Sequence, residues 1–219
     1  MTHLDISFVV NRLSQFMHRP TDLHMQATKR VLRYLKGTLD HGLHLVTNQN
    51  LFLQAYCDLY WVGDTQDCKS TSTFIIYLGN NPISWSNKKQ AIVAKSSTET
   101  EYRTIASTTT ELIWLQELLK ELHFSISQPA TVHSDNLGAT YFSGNLIFHS
   151  RMKHIAIDYH FVRDLVIDKK LSVLHVPSTQ QLADLLTKPL PATRHSFLKS
   201  KIGVVDPSTI LWGHIGVIS

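Results

Sequence analysis

The reading of "LFLQAYCDLYWVGDTQDCKSTSTFIIYLGNNPISWS", residues 51–86, decides the fold. "LFLQAYC" alternates apolar and polar side chains, "STSTFIIYL" is a run of β-branched and aromatic residues, and "GNNP" turns the chain into "ISWS". This pattern predicts an antiparallel meander of three strands. Asp58, Asp64 and Asp67 crowd the link between the first two strands. Such a cluster admits three readings: a metal site, a polar loop capping its own turns, or one working carboxylate with two bystanders.

Downstream, "KSSTETEY" opens a long helix that carries Tyr102, Ile105, Thr109, Leu112, Leu119 and Leu122 at helical spacing. The order then becomes strand "ATVHSD", helix "NLGATYFSG", a His-rich linker, helix "IAIDYHFVRDLVID", strand "LSVLHV" and helix "TQQLADLLTK". Upstream, "TDLHMQATKRVLRYLKG" is bounded by a Pro20–Thr21 start signal and a Gly37 stop. Met25, Thr28, Leu32 and Leu35 share one face of that helix, opposite Lys29, Arg30, Arg33 and Lys36. The basic stripe reads either as a track for a phosphate backbone or as an ordinary solvated face. The whole order describes an α/β fold: a mixed five-stranded sheet, three strands antiparallel and then two parallel, with flanking helices and a helical N-terminal segment.

The chain has 219 residues, 43% of them hydrophobic, enough for one sizeable core. A net charge of +4 and a pI near 9.0 lean mildly toward a polyanionic partner. Only Cys57 and Cys68 occur, which excludes a thiolate zinc finger and argues against a disulfide framework. The N-terminus lacks the apolar core of a secretory signal, and no stretch approaches the roughly 18 apolar residues of a membrane span. The expectation is a soluble intracellular protein, cytoplasmic or nuclear, with no membrane partner.

In sheets of this kind, sites gather at strand ends and helix starts. Asp58 ends the first strand of the meander, Glu101 falls in the first predicted turn of the long helix, Asp135 ends the fourth strand and Asp184 lies in "LADLL". Four acids converging at one sheet edge suit two divalent cations, since Mg²⁺ prefers carboxylate oxygens and water. Each also has a plain structural reading. Glu101 follows Thr98 by three residues, the spacing of a capping box; Asp135 has the position to cap the next helix; Asp184 is equally a polar residue on a helix flank.

The motifs "DLYWVGDTQDCKSTSTF", "ISWSNKKQAIVAKSSTETEYRTIA", "HSDNLGATYF", "FHSRMKHIAIDYHFVRD" and "QQLADLLTKPL" closely resemble, in the same order, the ribonuclease H region of Pol polyproteins from copia-type LTR retrotransposons. "RLSQFMHRPTDLHMQATKRVLRYLKGT" is similar to the stretch that joins the reverse transcriptase to it. The resemblance implies a ribonuclease H-like fold that cleaves the RNA strand of RNA–DNA hybrids with two Mg²⁺ ions, Mn²⁺ being an alternative. It also implies Asp58, Glu101, Asp135 and Asp184 as the catalytic, metal-holding acids, with Asp58 bridging both ions and Glu99 a bystander. Lys29, Arg30, Arg33, Lys88, Lys89, Arg151 and Lys153 are the candidate contacts to nucleic acid. Other Pol-derived chains are further candidate partners.

The expected layout is a helical remnant of the connection over 1–45, the ribonuclease H-like domain over 46–190 and a tail without assigned role over 191–219. No Asp-Asp pair, protease motif or integrase His-Cys site occurs, so the chain reads as a fragment of Pol. Leu59 and Tyr60 stand where the family pattern shows a small residue and an acid. Thr73 replaces its glycine, with a risk of stiffening or displacing the strand. The second reading of function is a catalytically idle remnant that binds nucleic acid or protein at most. His149, His154 and His160 lack the Cys pairing that would favour zinc, and His133 and His175 read as core-edge residues.

Overall fold

The computed structural model describes residues 3–47, 51–61, 69–90, 93, 96–124, 126, 128–144 and 155–208. Asp64, Asp67, Cys68, His149, Arg151, Lys153 and His154 lie outside them.

The predicted meander forms. Strand β2 (Leu53–Tyr60) pairs antiparallel with β3 (Thr71–Leu78), which pairs antiparallel with β4 (Asn81–Lys89). On the other side of β2, β5 (Ala130–Ser134) runs parallel, and β6 (Leu171–His175) runs parallel to β5. The sheet order is therefore β4-β3-β2-β5-β6, three antiparallel strands and then two parallel ones. Alternation along β2 sends Leu53, Ala55 and Cys57 into one core and Tyr56 into another.

The first core lies between the sheet and helices α3 (Ser97–Glu121), α4 (Leu137–Gly144) and α5 (Ala156–Ile167). Tyr102, Ile105, Leu112 and Leu115 on α3 meet Val132 of β5 and Tyr159 and Val162 of α5 there. Thr100, Thr104, Thr108 and Thr109 are buried on the same helix, and each hydroxyl donates to the carbonyl four residues earlier. That bonding lets a threonine-rich helix bury its polar groups without orphaning them.

On the opposite face, Ile75 and Tyr77 of β3 pack against Leu185 and Leu186 of the short helix α6 (Asp184–Thr187) and Leu198 and Ile202 of α7 (Ala192–Ile202). Leu4, from a 3-10 turn before α1 (Ser7–Ser14), completes this core. Strand β7 (Val204–Val205) then pairs antiparallel with β1 (Gly42–Leu43). Leu4 and Leu43, Ile75, Leu185 and Leu198 thus share one packing face, although they come from the N-terminal stretch, the sheet, α6 and α7. Gly203, at φ +91°, makes the reversal between α7 and β7 where a side chain would be strained.

Helix α2 (Asp22–Lys36) has the predicted bounds, with Thr21 as its N-cap and Gly37 following it. Its expected apolar face is not covered: Met25 and Leu32 are exposed, and no residue of the helix is buried. The helix is tied down by Tyr34 instead, which donates to the buried Asp5 carboxylate and accepts from Lys199 of α7 at 2.8 Å. Lys199 also reaches His41 Nδ1 at 2.6 Å, so one polar cluster joins both ends of the described chain. No helix among the described residues is long and apolar enough to cross a membrane.

Candidate metal centre

The register of the two central strands places the first pair of acids. Tyr56 of β2 is level with His133 of the parallel neighbour β5, and their rings stack at 4.7 Å. Asp58 and Asp135 each lie two residues further on, so both emerge at the same end of adjacent strands, which run about 4.8 Å apart. This is the end at which strand order switches direction and sites collect in open sheets. Helix α6 packs against β2 and brings Asp184 to the same place. Oxygens of Asp58, Asp135 and Asp184 lie within 4.8 Å of one another.

Glu101 adjoins them. Its carboxyl is pushed up to about 8, first by burial and then by the charges of Asp58 and Asp135, with Lys188 opposing. Its Oε2 is buried without a hydrogen-bond partner. The plain alternatives for Glu101 and Asp135 fail on one-residue details. Helix α3 begins at Ser97, and Ser96 caps it by accepting from the Glu99 backbone N–H at 3.2 Å, so no Thr98–Glu101 box forms. Glu101 is consequently in the second turn, not the first. Glu99 pairs with Arg103 at 3.1 Å. Likewise Asn136, not Asp135, caps α4, its Oδ1 accepting from Ala139 N at 2.9 Å.

Several residues that the sequence reading left unassigned hold the acids in place. Thr187 donates to Asp58 Oδ2 at 2.5 Å, and Lys188 Nζ lies 3.1 Å from the same oxygen and 2.6 Å from Asp184 Oδ1. Burial raises the Asp58 carboxyl, while Lys188 and Thr187 pull it back. Burial lowers the Lys188 ammonium, but Asp58 and Asp184 outweigh it and hold the group above its ordinary value. Gln181, fully buried, donates to the Cys57 carbonyl at 2.9 Å and accepts from Ala183 N at 3.2 Å, fixing the loop before Asp184 to strand β2. All three lie within "QQLADLLTKPL", and only that motif signals them.

The segment after Pro191 also reaches the site. Arg194 of α7 donates to the Ser178 and Thr179 carbonyls at 3.0 and 2.7 Å and lies 3.6 Å from Asp184 Oδ2. Ser178 in turn donates to Asp135 Oδ2 at 2.9 Å. The tail thereby braces the loop that contacts one acid and pairs with another.

Thr73 does not displace its strand. It faces Asp58 across the β2–β3 ladder, is fully buried, and donates to the Asp58 carbonyl at 3.0 Å. Tyr60 packs edge-on against Phe8 of α1 at 6.1 Å. Of the candidate nucleic-acid contacts, Lys29, Arg30 and Arg33 are exposed on α2, and Lys88 and Lys89 end β4. Arg103, Lys88, Lys89 and Gln90 line a groove of about 540 Å³ between β4 and α3. His160 lies edge-on to Tyr159, and burial lowers the His133 imidazole, which suits packing roles.

A mixed sheet of this order, with acids at the switch between antiparallel and parallel strands, defines a ribonuclease H-like domain. The chain is 54% identical over 209 residues to the Retrovirus-related Pol polyprotein from transposon RE1 of Arabidopsis thaliana, covering 94% of this chain and 14% of that protein. The corresponding polyprotein from transposon TNT 1-94 of Nicotiana tabacum is 34% identical over 203 residues, covering 93% and 15%. The chain belongs to the Pol polyproteins of copia-type retrotransposons. It spans about one seventh of the length of these relatives. No protein-family model matches it. Among solved structures, the N-terminal RNase H domain of a Mycobacterium tuberculosis protein gives a TM-score of 0.47 at 12% identity, covering 69% of this chain and 98% of that one. LC11-RNase H1 gives 0.47 at 14% identity, covering 62% and 91%. These superpositions are loose, and the sheet order defines the fold without them.

Proposed function

We propose that this chain is a metal-dependent ribonuclease that hydrolyses the RNA strand of RNA–DNA hybrids, with Asp58, Glu101, Asp135 and Asp184 holding two Mg²⁺ or Mn²⁺ ions. The observation that carries the reading is the meeting of three carboxylates within 4.8 Å, drawn from β2, the end of β5 and α6, beside a fourth whose Oε2 is buried and unpartnered. An all-oxygen donor set of this kind fits hard divalent cations. Bound there, such ions supply an activated water and charge stabilisation for the departing ribose oxygen.

The protein's own part is positioning. Thr187, Gln181, Ser178 and Arg194 fix the acids before any ion arrives, which lowers the cost of organising the site. Asp58 is buried at 2% exposure and bonded from α6, and would be one of the acids that hold the ions. None of the chain's nucleophiles needs to bond covalently to substrate. Lys88, Lys89, Lys29, Arg30 and Arg33 are the proposed phosphate contacts, with Arg151 and Lys153 kept from the sequence reading, which gives recognition by shape and charge rather than base sequence.

The test is incubation with a labelled RNA–DNA hybrid in Mg²⁺ beside Asp58→Asn. Cleavage by the native chain, falling by about a hundredfold or more in the variant, supports the reading. Equal cleavage by both, or none by either, leaves the idle-remnant reading in its place.

A further inference from the structure

The acid cluster contains its own cation. Lys188 Nζ bridges Asp58 Oδ2 and Asp184 Oδ1 at 3.1 and 2.6 Å, positions that an ion shared by these two carboxylates would need. Asp135 is left out of this bridge and accepts from Ser178 instead. We propose that Lys188 is a tethered counter-ion that competes with the divalent cation, so that metal uptake requires its ammonium to leave the Asp58–Asp184 oxygens. This rests on the metal reading above and adds a residue that opposes it.

Three features support the assignment. First, the placement is built into the backbone: Lys188 follows the last residue of α6 in an extended conformation, φ −124° and ψ 146°, which the ring of Pro189 favours for the residue before it. From that position its side chain reaches back over one turn to Asp184, four residues earlier. Second, the ammonium has a way out, because the side chain is 36% exposed while the Asp58 side chain it contacts is 2% exposed. Third, the remaining partners do not depend on it. Thr187 holds Asp58 and Arg194 lies beside the second Asp184 oxygen, so both acids stay placed when the lysine departs.

Physically, the ammonium offsets repulsion among clustered carboxylates when no ion is bound, and the same attraction must be given up when one arrives. A divalent ion and an ammonium sharing two oxygens would repel each other at close range.

The experiment titrates Mn²⁺ into the native chain and into Lys188→Met by calorimetry. It is paired with peptide-resolved acetylation of lysines in the native chain with and without Mn²⁺. Competition predicts Mn²⁺ binding about tenfold tighter in Lys188→Met. It also predicts Lys188 acetylation several-fold faster once Mn²⁺ is bound, while Lys120, exposed and remote, is unchanged. Equal or weaker binding by the variant, or Lys188 labelling indifferent to Mn²⁺, overturns the competition and leaves the metal site standing. Absence of Mn²⁺ binding by both proteins overturns the metal reading and this one with it. The labelling arm uses the native chain, so it decides the question even if Lys188→Met does not fold.

Discussion

Replacing Glu101 with glutamine should make the metal-free protein more stable at neutral pH. Burial and the neighbouring Asp58 and Asp135 lift this carboxyl from the ordinary 4.5 to about 8. The folded chain therefore keeps a proton that the unfolded chain releases above about pH 4.5. Stability from this group is full at lower pH and is lost as pH rises from there through about 8. At about 1.4 kcal/mol per pH unit, the loss between roughly pH 5.5 and 7.5 comes to about 2.5 kcal/mol. Urea unfolding in chelator at those two pH values measures it. The native chain should lose that much on going to the higher pH, and Glu101→Gln, which keeps the shape without the charge, should lose correspondingly less. Saturating Mg²⁺ should reverse the order of the two proteins, since the ion stabilises only the folded chain that retains the fourth carboxylate. Parallel pH profiles in chelator for the two proteins would refute the account of Glu101 as a carboxyl strained by its neighbours.

Other perturbations test the frame around the acids. Thr187→Val removes the hydroxyl bonded to Asp58 Oδ2 and should cost about 2 kcal/mol in chelator, measured by denaturant midpoint. Gln181→Leu strands the Cys57 carbonyl and the Ala183 N–H in a buried position. A comparable loss of about 2 kcal/mol should accompany weaker Mn²⁺ binding in a calorimetric titration. Lys199→Met leaves the buried Asp5 without its ammonium at 3.8 Å. It should destabilise by about 3 kcal/mol, with amide exchange in α7 and β1 accelerating most.

The fold was legible because its signals are local. Alternation in β2 and β3, the turn at Gly79, and the helical spacing from Tyr102 to Leu112 each depend on neighbours in sequence, and each element forms where its pattern lies. Less legible was the long helix predicted over "TQQLADLLTK". It breaks into a 3-10 turn and a four-residue helix, because Gln181 leaves the helical path to bond β2. The apolar stripe of α2 misled for the converse reason: helical periodicity fixes which residues share a face, not whether anything covers it.

By itself, the sequence determined the order of the five strands of the main sheet, the family resemblance and the choice of four candidate acids, since residue identity and spacing carry all of these. Whether Glu101 and Asp135 were caps or cluster members turned on where α3 and α4 begin. The observed bonds of Ser96 and Asn136 give both caps to other residues, which removes the capping reading. The meeting of Asp58 with Asp184 and the entry of Lys188 between them were tertiary outcomes, as was the bracing by Arg194. Asp58 meets Asp184 and Lys188 only because α6 packs against β2 more than 120 residues later in the chain, and such a separation leaves no trace in local spacing.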